Sequence, residues 1–93
     1  MGTVAEFLEL TPEDSLLVEI KVALSQSLKE QRRAMMMTQV ELADRIGSSQ
    51  PRIAKAEGAD ESVSLELLLR AMLGLGVTPQ EIGHIIAQVG DPS

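Results

Sequence analysis

The chain has 93 residues, a formal net charge of −6 and 44% hydrophobic residues, enough for one modest core and too few residues for two. Phe7 is its only aromatic residue, cysteine is absent and His84 is its only histidine. These counts exclude an aromatic base-stacking platform, a disulfide framework or thiolate nucleophile, and a zinc site built from cysteines or several histidines.

No apolar run approaches the ~20 residues that span a bilayer, and no basic stretch precedes a signal-like apolar segment. The expected setting is therefore cytoplasmic, with no membrane partner. Period-2 alternation and β-branched runs are missing, so no strand is expected. Residues 1–11 read as an N-terminal segment containing Phe7, Leu8 and Leu10. Thr11-Pro12-Glu13-Asp14 then combines an N-cap, a proline at the first helical position and acids in the first turn. It opens a long helix over about 12–35. Leu17, Ile20, Leu24, Leu28 and Met35 fall near one face of that helix, and Val18 and Val22 form a second, smaller apolar row.

Thr38 and Glu41 form a capping box that opens a helix over 39–46, closed by Gly47. Ser49 is expected to cap a helix over 50–57, closed by Gly58 in the left-handed conformation. Ser64 opens a helix over 65–75 that is apolar nearly all round, as a central helix would be. Thr78, Pro79 and Glu81 open the last helix, 79–88, which presents Ile82, Ile85, Ile86 and Val89. Residues 12–89 thus read as a single all-α domain and 90–93 as a tail. Met35, Met36 and Met37 are expected to fill core and loop gaps, and Arg32 and Arg45 to be solvated, with Glu41 a partner for Arg45.

Charge is unevenly placed. Residues 1–28 carry −4 and residues 56–93 carry −5, whereas residues 29–55 carry +3 and hold six of the eight basic side chains. Local potential, not whole-chain charge, decides whether a phosphate backbone is attracted.

The basic window contains the most informative stretch, Thr38 to Gly58. Two short helices joined by a three-residue turn must cross steeply. Leu42 and the small Ala43 supply the inner face of the first helix, Gly47 the positive φ, and Ile53 the apolar anchor of the second. At 100° per residue, Ile53 and Ala56 point inward, Pro51, Ala54 and Lys55 point outward, and Gln50 and Arg52 lie at the sides. With Ser49 at the start, that surface can donate to phosphates and base edges. Gln39 sits at the N-terminus of the preceding helix, where backbone N–H groups favour a phosphate.

Thr38-Gln39, Leu42-Ala43, Gly47, Ser49-Gln50, Ile53 and Glu57-Gly58, in this order and spacing, resemble the helix-turn-helix of the Cro/repressor (XRE) family. The likeness reaches upstream to Leu28 and Arg32 and downstream to Val77. It implies a five-helix, lambda-repressor-like DNA-binding domain, here with an extended first helix, acting as a homodimer. It also implies that helix 50–57 enters the major groove of double-stranded DNA, with Gln50, Pro51 and Lys55 facing bases and Gln39 facing phosphate. Pro51, Ala54 and Ala56 depart from the family pattern and leave Gln50, Arg52 and Lys55 as the polar readers. Val18 and Val22 are the candidate dimer interface.

Sequence-specific regulation, with repression the expected outcome, is the leading reading. An antitoxin that also binds a toxin protein is a variant of it. The alternative is a protein-interaction module that keeps the fold without DNA binding. No GxSxG, P-loop or HExxH pattern is present, and the acids sit mostly at helix N-termini, so no enzyme, cofactor, metal or small-molecule substrate is expected.

Overall fold

The computed structural model describes residues 11–90. Phe7, Leu8, Leu10 and the tail beyond Gly90 lie outside the described residues. Five helices follow in chain order: α1 (Pro12–Ala34), α2 (Gln39–Ile46), α3 (Gln50–Glu57), α4 (Leu65–Gly74) and α5 (Pro79–Gln88). Among the described residues there is no strand.

The helix starts follow the side chains that satisfy their orphan N–H groups. The hydroxyls of Thr11, Thr38, Ser64 and Thr78 each accept from the backbone N–H three residues on, and the capping boxes of α2 and α5 are complete. Ser49 is the exception. It occupies the N-cap of α3 in extended conformation but makes no capping hydrogen bond, which leaves its exposed hydroxyl uncommitted.

The ends of α1 to α4 share one device. The chain turns through a left-handed residue, and the next N–H reaches back to a carbonyl five residues earlier. The left-handed residues are Met36 (φ 55°), Gly47 (φ 69°), Ala59 (φ 54°) and Gly76 (φ 88°). The closing bonds are Met37 N to Arg32 O, Ser48 N to Ala43 O, Asp60 N to Lys55 O and Val77 N to Met72 O. Gly58 therefore does not take the expected conformation. At φ −91° it completes α3, and Ala59, one residue later, carries the strain. Replacing Ala59 with glycine relieves about 1–2 kcal/mol of left-handed strain and returns part of it as unfolded-chain entropy. Ala59→Gly should raise stability by about 0.5–1 kcal/mol in chemical denaturation. Gly58→Ala, whose added Cβ would meet only ordinary contacts, should be nearly neutral by the same measurement.

The core is formed by Leu24 and Leu28 of α1, Leu42 and Ala43 of α2, Ile53 and Ala56 of α3, Leu67, Leu68, Ala71 and Met72 of α4, and Ile82 of α5, closed by Val63, Leu75 and Val77. α1 is its hub, in contact with α3, α4 and α5, while α2 packs on α3 and α4. α4 is apolar nearly all round, as a central buried helix would be. It buries one broad face, but Leu73 is exposed. α4 and α2 meet closely at their ends. A Cβ on Gly74 would stand 2.5 Å from Cγ2 of Ile46, and Arg45 donates to the Gly74 carbonyl rather than pairing with Glu41.

Two further expectations on α1 are corrected. Leu17 and Met35 share the helical phase of Leu24 and Leu28 but are exposed, Leu17 because α1 starts well before the core and Met35 because it is the C-cap, where the chain leaves the helix. Of the three consecutive methionines only Met37 packs on the core, and Met36 is 91% exposed at its left-handed turn. Along α5, Ile82 is buried and Ile85 and Val89 half-buried, while Ile86 and His84 face water.

Candidate nucleic-acid interface

α2 and α3 pack directly against each other. Leu42 and Ala43 of α2 and Ile53 of α3 are buried in the shared core, and Gly47 makes the left-handed turn between the helices. Ser49, Gln50, Pro51, Arg52 and Lys55 are all exposed on the opposite side of α3, and Ala54 is half-buried.

Behind that exposed face runs a polar chain. Arg32, expected at a solvated helix end, is buried instead. It continues the Leu24–Leu28 stripe one turn further. Its Nε donates to Oε2 of Glu57 and its Nη2 donates to Oε1 at 3.0 Å. Nη1 donates to the Met37 carbonyl at 2.7 Å. The guanidinium thus clamps the end of α3 and the α1–α2 turn at once, using the planar fork that lysine lacks. Side-chain exposure is 11% for Arg32 and 3% for Glu57. Burial pushes the Glu57 carboxyl upward, but hydrogen bonds from Arg32 and Gln39 and the nearby charges of Arg32 and Lys29 outweigh it and hold the group below its ordinary range.

Gln39 continues the chain. Its Nε2 donates to Glu57 Oε1 at 3.1 Å, and its Oε1 accepts from Gln50 Nε2 at 2.7 Å. The Gln50 amide is therefore oriented from within the protein. One amide hydrogen is committed to Gln39. The other hydrogen and Oε1 remain, which is the donor–acceptor pair that adenine N7 and N6 require.

Arg52 stands at the flank, on a polar cleft shared with Ser48, Ser64 and Arg70. Lys55 lies near Asp60. That carboxyl is held low chiefly by hydrogen bonds from Ser62, with Lys55 and Lys21 adding attraction. Val18 and Val22, far from this face in sequence, are exposed on α1. The sequence reading does not find the polar chain behind α3. The available signal was the i, i+4, i+8 run of Leu24, Leu28 and Arg32, which places an arginine on a buried stripe.

A glycine-turned helix pair with a polar, partly basic second helix facing water is a helix-turn-helix, the class of domain that presents one helix to duplex DNA. A family model described as helix-turn-helix matches residues 28–82, and the chain belongs to the Cro/repressor (XRE) helix-turn-helix family of DNA-binding regulators. No curated protein and no solved structure matches it. Among the described residues no helix is long and apolar enough to cross a membrane.

Proposed function

We propose that residues 12–89 form a cytoplasmic, homodimeric transcriptional repressor that reads a near-palindromic operator with α3. The observation that carries this reading is the pre-set Gln50 amide, held by Gln39 and backed by the Glu57–Arg32 pair. Holding a reader in place before binding removes the entropy cost of ordering it on the DNA. Gln50 is the direct reader, with Ser49, Arg52 and Lys55 donating to phosphates or flanking bases. Pro51 supplies apolar contact, as to a thymine methyl. Gln39, at the start of α2, offers its remaining amide hydrogen to a phosphate.

With so few polar readers, much of the specificity comes from DNA shape. Two copies place their α3 helices in successive major grooves, about 34 Å apart. An antitoxin that also holds a toxin protein is compatible with the size and acidity of the chain.

The test is fluorescence polarisation with duplex DNA at two salt concentrations. Affinity should fall steeply as salt rises, because neutralised phosphates release counterions. Absent or salt-insensitive binding at micromolar protein would instead favour a protein-interaction module, the reading that the net charge of −6 and the apolar Pro51 and Ala54 support. Gln50→Ala should cost about 1–3 kcal/mol of discrimination at one adenine position per half-site, with helicity unchanged. Identical operator preferences selected by the wild type and this variant would remove Gln50 from the readout.

A further inference from the structure

α1 begins well before the core does. Leu24 is its first fully buried residue, yet the helix starts at Pro12, so about 18 Å of it precedes Leu24 at 1.5 Å per residue. Within seven residues of that overhang, Leu16, Leu17, Val18 and Val22 are exposed, Val18 by 50%. A concentration of exposed apolar side chains on one helix marks an interaction surface.

Val18 and Val22 belong to a longer stripe. Steps of four or seven residues keep a helix face. Such steps reach the neutral Gln26 and the buried Ser25, and they add three charges, Asp14 on one side and Lys29 and Arg33 on the other. All three are exposed, and none has an ion-pair partner among the described residues. The stripe is thus acidic at one end, apolar in the middle and basic at the other. A surface of that pattern is complementary to itself when two copies run antiparallel. Parallel pairing would instead set Asp14 against Asp14 and Lys29 against Lys29.

We propose that the stripe Asp14–Val18–Val22–Lys29 is where two copies of the chain associate, with their α1 helices antiparallel across a two-fold axis at the level of Ile20. Such an interface is isologous: Val18 of one copy meets Val22 of the other, and the reverse. In this register Asp14 lies opposite position 26, three residues from Lys29. That offset is about 4.5 Å along the axis, within the reach of a lysine side chain. Two apolar contacts at the centre are therefore flanked by two opposite-charge pairs. The inference rests on the homodimer of the proposed function and fixes its surface and polarity.

Sedimentation velocity of the whole chain at rising concentration provides the first test, with a reversible dimer expected. Val18→Asp combined with Val22→Asp should weaken the dimer about tenfold or more without changing helicity or binding to a single DNA half-site. Asp14→Lys should weaken it as well, and Asp14→Lys with Lys29→Asp should restore it. Because the chain has no cysteine, Val18→Cys and Val22→Cys report the register cleanly. A mixture of the two variants should form the mixed disulfide in preference to either homodimer. A dimer indifferent to the two aspartates would overturn this surface and leave the homodimer standing. A chain monomeric at submillimolar concentration would overturn both. Half-site binding, measured separately, decides the DNA reading independently.

Discussion

Glu57→Ala should lower the stability of the domain by about 3 kcal/mol, the lower end of the cost of breaking a buried ion pair. The loss is not simply that of one favourable contact. It strands the Arg32 guanidinium in a site where only the Met37 carbonyl remains as a partner. The lower end applies because Arg32 can turn part of its fork toward water once released. For a domain of this size each kcal/mol corresponds to roughly 4–8 °C in Tm, so a fall of roughly 12–24 °C is expected by calorimetry. Replacing both partners together, Arg32→Met with Glu57→Leu, should cost less than Glu57→Ala alone, because no charge is then left buried. A double variant no more stable than the single one would show that the pair is not electrostatically coupled.

The same pair sets a pH dependence. The Glu57 carboxyl is held below its ordinary range in the folded chain. Its contribution is complete above the unfolded value, near 4.3, and is lost as pH falls through the lower folded value. The stability difference between wild type and Glu57→Gln should therefore be constant around neutrality and shrink in strongly acidic solution. Urea denaturation at several pH values reads this directly. A difference that grew on acidification would reverse the assigned shift.

Ile53→Ala is expected to have an effect of similar size with a second consequence. Ile53 is fully buried and, with Ala56, holds α3 against the core. Truncation costs about 2–5 kcal/mol through lost transfer energy and the cavity left behind. Since Ala56 is already small, little neighbouring bulk on α3 can fill the space. The helix then loses its fixed angle to α2, and DNA affinity should fall even where the variant remains folded. Ile53→Val removes one methylene and should cost about 0.5–1.5 kcal/mol, with DNA binding retained. Unchanged polarisation titrations with folded Ile53→Ala would mean that α3 is oriented by its polar contacts alone.

The contrast between these two sites explains what was legible in the sequence. Helix starts were readable because Thr11, Thr38, Ser64 and Thr78 act within three residues of themselves. The Ala43 and Ile53 positions were readable because a tight turn at Gly47 leaves few alternatives. The polar chain behind α3 was not, because Arg32 and Glu57 are 25 residues apart and Gln39 and Gln50 eleven. No local rule links them. The left-handed turns divide the same way. Gly47 and Gly76 announce themselves, whereas Met36 and Ala59 adopt that conformation only because the packed helices on either side require it. Exposure at the ends of α1 failed for a related reason. Periodicity gives the phase of a face but not how far a neighbour covers it, so Leu17 and Leu24 look alike in sequence.

The Gln39–Glu57–Arg32 chain also divides the surface of α3 into fixed and adjustable positions. Gln50 is tied to the scaffold through Gln39, so changing it disturbs a network that reaches α1. Pro51 and Lys55 hold no other side chain by hydrogen bond, and Pro51 has no N–H to lose. If α3 reads DNA as proposed, new target preferences can be written at residues 51 and 55 while the clamp beneath keeps the helix in place. A library varied at those two positions alone should yield regulators of altered address with undiminished thermal stability.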